Sequence, residues 1–334
     1  MDDIITLSYG SGGKKTSHLI EDIILPSLSC DELNKLSDGA VLDVFSNKIA
    51  FSTDSFVVSP YFFPGGDIGK LAVCGTVNDL SVCGAKPEYL SLSLIIEEGF
   101  KIEELKKIIK SIEETSKICN VKIVTGDTKV VEKGKGDGIY INTSGIGRLI
   151  YEDLGKDKIS EGDAVIVTGC IGDHGAAIMA SRNNLVDEFN VKSDCAPVYE
   201  LAQCILQYGD KVKIMRDPTR GGVATTLNEF VENSEFTIEI SEEKIPINVE
   251  TNNLCEILGI DPLYSANEGK ILAIVDSSVA ENVVNDLRKI ELGKDAAIIG
   301  YVTKNFPSKV VLHTNLGGKR VLSKLTGAQL PRIC

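Results

Sequence analysis

Residues 89–131 read YLSLSLIIEEGFKIEELKKIIKSIEETSKICNVKIVTGDTKVV. Residues 89–96 have the character of a strand. Ile102, Leu105, Ile108, Ile109, Ile112 and Ile118 recur at helical spacing, which predicts a helix over Ile102–Cys119. A second strand is expected at 121–124, followed by Gly126-Asp127-Thr128-Lys129 as an acidic turn. Strand, helix and strand in succession point to an α/β protein.

The same mixture continues on both sides. Upstream, residues 4–7 read as a short strand that runs into the glycine-rich Gly10-Ser11-Gly12-Gly13 and a helix over 16–24. Residues 39–44 and 48–55 read as adjoining strands, and 68–83 as a helix. Downstream, strands are expected at 138–146, 164–168, 237–240, 270–275 and 296–302. Helices are expected at 195–208, 223–232, 252–258 and 279–289. Because many strands adjoin directly, the expectation is mixed sheets rather than a pure βαβ wheel. The weakest pattern, at 151–163, marks a linker. This divides the chain into a domain at 1–154, a second at 155–320, and an extended tail at 321–334 that lacks periodicity and contains a proline.

Of the 334 residues, 43% are hydrophobic and 25% charged, the balance of a folded globular protein. Single cores stop growing near roughly 250–300 residues, which also favours two domains. Lys and Arg number 35 against 48 Asp and Glu, a net charge of −13. That argues against nucleic-acid binding, which needs basic residues at phosphates. No apolar run reaches the roughly 20 residues that span a bilayer. The acidic start Met1-Asp2-Asp3 is unlike a signal peptide. Neither membrane insertion nor secretion is expected, and a cytoplasmic location is. The nine cysteines include no C-x-x-C, so neither a zinc ribbon nor a thioredoxin-type site is indicated. Eight of them read as packing residues in a reducing compartment. Cys334 does not, because it is the last residue.

No P-loop and no G-x-G-x-x-G is present. The loop at Gly10 to Gly13, ahead of Lys14 and a helix, can offer backbone N–H groups to an anion, or be an ordinary turn. Four acidic signatures, around Asp38, Asp54, Asp79 and Asp127, fall at expected strand ends or turns. Each singly is a common turn former, but together they suit metal ions that carry a nucleotide's phosphates. Lys129 is a compact charge suited to a transferring phosphoryl group. Arg220 precedes two glycines, and Glu268 sits in Asn267-Glu268-Gly269 before a strand, where a carboxylate can act as base or close a turn. His174, in a glycine turn, is a weaker catalytic candidate. A thiol at the end of a tail can travel between sites as a tethered carrier does. In that setting Arg332 should favour the thiolate and the α-carboxylate oppose it.

These motifs, with Phe51-Ser52-Thr53-Asp54-Ser55, Cys74-Gly75-Thr76-Val77-Asn78-Asp79, Val124 to Val131, Gly172-Asp173-His174-Gly175 and the terminal Pro331-Arg332-Ile333-Cys334, resemble the HypE family of hydrogenase maturation proteins. That family lies within the aminoimidazole ribonucleotide synthetase superfamily. The resemblance runs nearly end to end, with Tyr9 where the family often has His. It implies a two-domain α/β fold of mixed sheets whose N-terminal domains pair through their sheets into a homodimer, with ATP and Mg²⁺ near the junction. It implies nucleotide contacts from Gly10, Ser11, Gly12, Gly13, Asp54, Asn78, Thr128 and Arg220. The implied metal ligands are Asp38, Asp54, Asp79 and Asp127, and the catalytic roles fall on Cys334, Lys129 and Glu268. It further implies a reaction in which HypF loads a carbamoyl group on the Cys334 thiol. ATP-driven dehydration turns that group into a thiocyanate, and the cyanide passes to iron on a HypC–HypD complex. A superfamily synthetase acting on a free small-molecule amide would share the acids and need no Cys334. A non-catalytic maturation scaffold would need only the tail.

Overall fold

The computed structural model describes residues 3–10, 14–35, 42, 48–324, 330 and 332–334. The expected strand at 39–44, except Leu42, lies outside the described residues, as do Ser11, Gly12, Gly13, Asp38 and Pro331.

After a 3-10 turn at Leu7–Gly10, α1 (Lys14–Leu19) and α2 (Leu25–Leu28) are joined by a π-helical turn at Ile20–Ile24. The strand expected at 4–7 shrinks to one bridge between Ile4 and Lys101. β1 (Ile49–Phe56) and a small hairpin of β2 (Phe62–Phe63) and β3 (Gly66–Asp67) lead into α3 (Ile68–Val82), β4 (Ala85–Glu97), α4 (Ile102–Cys119), β5 (Lys122–Val131) and β6 (Ile139–Leu149). The sheet order is β1-β6-β4-β5, antiparallel except for the β4/β5 pair spanned by α4.

Asp67 starts α3 by accepting the Gly69 and Lys70 N–H groups. Asn120 ends α4 in the left-handed region, φ 53°. Ile102, Leu105, Ile108, Ile109 and Ile112 bury the inner face of α4. Ile118 is 73% exposed, because sixteen residues past Ile102 it has turned roughly 160° around the axis. By contrast, α3 is buried nearly all round. It packs on β1, β4, β6 and α4, and on the second domain at α6 (Tyr199–Leu206) and β8 (Val212–Arg216).

The second domain runs β7 (Ala164–Val167), α5 (Asp173–Arg182), α6, β8, α7 (Gly222–Val231), β9 (Thr237–Ser241), α8 (Val249–Leu258), β10 (Leu272–Val275), α9 (Ala280–Leu287), β11 (Ala297–Thr303), β12 (Lys309–His313) and β13 (Lys319–Leu322). The sheet order is β13-β12-β9-β11-β7-β10-β8, with only β9/β12 parallel. Ala164 and Ile166 face α6 and α9, whereas Val165 and Val167 face α7. Cover on both faces accounts for continuous apolar runs such as Ala164-Val165-Ile166-Val167. Val321 and Leu322 pair in β13, so the segment expected to leave the domain at 321 begins inside its sheet.

Three of the acids expected at strand ends or turns sit inside regular elements. Asp54 is inside β1, Asp79 inside α3, and Asp127 inside β5, which continues through the predicted turn. Among the described residues, helices cover the first sheet on one face only. On the other, among the described residues, Ile49, Phe51 and Ile95 stand exposed.

Candidate active site

The end of the chain folds inward between the domains. Val57 N–H donates to a carboxylate oxygen of Cys334 (3.2 Å) and Ser59 N–H to the Arg332 carbonyl (3.3 Å). Ile333 and Cys334 are buried, Cys334 to 8% exposure. The Cys334 Sγ lies 3.3 Å from Arg220 Nε. Burial pushes the thiol pKa up, and the Arg220 charge offsets part of that rise. The cation beside the thiol is therefore Arg220 rather than the expected Arg332. Arg332 pairs with Asp137 and donates to the Val57 carbonyl.

Arg220 is presented by a backbone only glycine tolerates. Gly221 and Gly222 have φ of 75° and 59°, and a Cβ on Gly222 would lie 2.5 Å from the Ser265 carbonyl oxygen. The guanidinium's pKa is raised first by its hydrogen bond to the thiol and the thiol's charge, then by the charges of Asp54 and Glu268.

Glu268 is 2% exposed, and its Oε1 has no hydrogen-bond partner among the described residues. Burial, then the neighbouring Cys334, Cys195, Asp217 and Asp194, hold its pKa well above the carboxylate range, so its resting form is the neutral acid. Its backbone is clamped. The N–H donates to Asp194 Oδ1 (3.1 Å), and the carbonyl accepts from Asn78 Nδ2 (3.2 Å) and Ala196 N–H (3.3 Å). A Cβ on Gly269 would lie 1.9 Å from the Asp194 carbonyl oxygen, so glycine must follow the acid.

Asp54 and Asp79 share the helix-facing side of β1, where Ser52 Oγ donates to Asp79 Oδ2 (2.5 Å). Burial pushes both carboxyls up, and Asp54 adds to the shift at Asp79. Asp217, which no motif marked, is pushed up to about 7, by burial first and then by Asp79.

The remaining expected residues lie elsewhere. Asp127 and Lys129 form an ion pair (2.7 Å) and stand opposite Ser93 and Ile95, on the open face of the sheet. Lys129 is 63% exposed. β5 is three strands from β1, roughly 14 Å, and on the other side of the sheet from Asp54. Within one chain, then, Lys129 is not beside Cys334. The acids do not converge either: among the described residues no three His, Cys, Asp or Glu side chains form a metal cluster. Thr128, pointing the opposite way from its neighbours, lines a cavity of about 250 Å³ with Thr16, Ile20, Leu28, Leu92 and Leu94.

Asn78 is not free for a nucleotide. Its Nδ2 donates to the Ala196 (3.1 Å) and Glu268 carbonyls, and its Oδ1 accepts from Val198 N–H (2.8 Å). It fastens α3 to the second domain and holds Glu268 in place. Asn78→Ala should cost about 2–4 kcal/mol of stability, because buried backbone groups lose their partner. Urea unfolding measures it, and a change under 1 kcal/mol would contradict the clamp.

An α/β chain with two main sheets and buried carboxyls where its domains meet is of the AIR synthase kind. The family models for the AIR synthase related protein N-terminal and C-terminal domains match residues 36–149 and 160–313. More narrowly, the chain is 45% identical over 332 residues to the carbamoyl dehydratase HypE of Bradyrhizobium diazoefficiens, covering 99% of this chain and 96% of the relative. The crystal structure of hydrogenase maturation protein HypE in complex with ATP superposes with a TM-score of 0.94 at 42% identity, covering 98% of this chain and 99% of that one. A HypE–HypF complex structure matches with a TM-score of 0.80 at 46% identity, covering 92% of this chain and 99% of that one. The chain belongs to the HypE carbamoyl dehydratase family.

Proposed function

We propose that this chain is an ATP-dependent carbamoyl dehydratase whose substrate is its own C-terminus. The observation that carries the reading is the terminal thiol, buried against Arg220 and beside Glu268 where the two domains meet. A free-amide synthetase has no use for a chain end in that position.

The reaction converts S-carbamoyl-Cys334 and ATP into S-cyano-Cys334, ADP, phosphate and a proton. The carbamoyl oxygen attacks the γ-phosphorus, and the bond to the ADP oxygen breaks. One N–H proton leaves the resulting O-phosphorylated imidate at this stage. The second leaves as the C–O bond breaks and the nitrile forms, with phosphate taking the electron pair. Glu268 is placed to take a proton from nitrogen. Its resting proton passes to the departing phosphate as the C–O bond breaks, and the carboxylate so formed, with its raised proton affinity, takes the proton from nitrogen. Arg220 moves from thiol to substrate, where it offsets charge on the phosphoryl oxygens.

Asp54 and Asp79 fit Mg²⁺, since a cation relieves two half-buried neighbouring carboxylates and needs only one or two of them beside phosphate oxygens and water. Such an ion neutralises charge on the phosphates. Asp127 and Lys129 act from the open sheet face, across a homodimer formed there. The exposed Ile49 and Phe51 on a sheet with one bare face support that pairing. Phe51→Glu should convert a dimer into a monomer by light scattering at micromolar concentration. A wild-type monomer under those conditions would remove the pairing and the shared site together.

Loading requires the tail to swing out, because the docked thiol is buried. A carbamoyltransferase of the HypF kind supplies the group, and a HypC–HypD iron complex takes the cyanide, in the cytoplasm. The test is the mass of the C-terminal peptide: it should gain a carbamoyl group with the donor and lose one water on adding ATP.

A further inference from the structure

His174 is fully buried at the start of α5, between Ser193 Oγ (2.8 Å from Nδ1) and the Ile333 carbonyl oxygen (2.9 Å from Nε2). A carbonyl can only accept, so Nε2 carries the proton and Nδ1 accepts from the Ser193 hydroxyl. Ser193 Oγ in turn accepts the Cys195 N–H (3.0 Å). Every polar atom in this chain of bonds is used, and its direction is fixed. The Phe63 ring stands edge-on to the imidazole, centroids 5.4 Å apart at 84°, and packs against it. Burial lowers the imidazole pKa and keeps it neutral.

The Arg332 and Ile333 carbonyls and the Cys334 carboxylate are each held. First-domain backbone takes Arg332 and Cys334, through Ser59 and Val57. The second domain takes Ile333 through His174, and Arg332 again through Arg182 (2.5 Å). The Ile333 carbonyl belongs to the peptide immediately before the acceptor cysteine. Holding it sets which residue faces Arg220 and Glu268, whereas a slip of one residue would present Ile333 to the site.

We propose that His174 is a positioning residue for the dehydration step, a latch that donates its Nε2 proton to the Ile333 carbonyl and so holds the loaded tail in register against Glu268 and Arg220. The latch is made only in the docked tail, so it serves dehydration and not loading. Its catalytic consequence rests on the dehydratase reading above, but the docking itself does not.

The experiment alkylates intact protein with iodoacetamide and follows residues 325–334, the peptide left by cleavage after Lys324, which contains only Cys334. Removing the donor to a buried carbonyl should open the tail by roughly 5- to 100-fold. His174→Leu should therefore speed Cys334 alkylation by that factor and slow ATP-driven water loss from the carbamoylated tail, with loading by the carbamoyltransferase unimpaired. His174→Gln, whose amide N–H can reach the same carbonyl, should restore most of the protection. Wild-type alkylation rates in His174→Leu, or equal acceleration in both variants, overturn the latch. If His174→Leu does not fold, Ser193→Ala decides: it leaves the ring without its second anchor, and unchanged alkylation there overturns the latch as well. A wild-type tail that is protected as described but never loses water with ATP overturns the dehydratase reading and leaves the latch standing.

Discussion

Cys334→Ala is expected to abolish carbamoyl loading and all partner-dependent ATP turnover while leaving ATP binding nearly intact. The thiol is the acceptor, and the groups proposed to hold the nucleotide and metal are other side chains. Among the described residues its one side-chain hydrogen bond is to Arg220, so thermal stability should change little. Cys334→Ser separates two requirements. A serine oxygen can accept a carbamoyl group, but its dehydration would yield a cyanate ester rather than a thiocyanate, and cyanide would not be released. The peptide covering 325–334 reports each step by mass. Carbamoyl found on another cysteine, such as the exposed Cys83, or water loss without ATP, would end the tail-as-substrate mechanism.

The second large effect is expected at Glu268. Glu268→Gln keeps size and shape but cannot accept a proton, and the loss of a positioned general base typically costs 10²–10⁴-fold. Dehydration should fall by about that factor while loading by the carbamoyltransferase is unchanged. Stability gives an independent readout. The folded carboxyl holds its proton more tightly than the unfolded one. Between the unfolded value near 4.5 and the raised folded value, the native state binds more protons, so wild-type stability falls as pH rises. Glutamine has no such dependence. The variant should therefore gain on the wild type as pH rises above the unfolded value near 4.5 in thermal unfolding. A gap that stays constant, together with retained dehydration, would remove Glu268 from the mechanism.

The local patterns were readable where one physical force dominates. The isoleucines of α4 alternate with Glu–Lys pairs, so the helix could be bounded from sequence at both ends. β7 and β10 are short apolar runs whose burial on both faces left only their ends ambiguous. β8, β12 and β13 were missed. β13 carries exposed Lys319, Arg320 and Val321, and β8 is an edge strand with Lys213 and Arg216, so neither shows a strand's apolar run. Of the signals for function, Arg220 and Glu268 were marked by the glycines beside them, and those glycines prove to be places where another backbone comes too close for a Cβ. His174 was weighed and set low, because nothing local shows that its ring meets the far end of the chain.

Composition, helical period and the terminal cysteine are properties of neighbours along the chain. By themselves they establish an acidic two-domain α/β protein with a thiol at its end and acids suited to phosphate chemistry. Which acids share a site depends on strand order and on which face a side chain takes, and a shift of one residue reverses the face. Asp54 and Asp127 look alike in sequence, yet pairing places them on opposite faces and three strands apart. Asn78 is committed to the interdomain clamp, and Arg220, rather than Arg332, stands beside the thiol. The placements of Asn78 and Arg220 come from contacts between residues more than a hundred positions apart, formed only when the second domain closes on α3 and the tail is drawn in between.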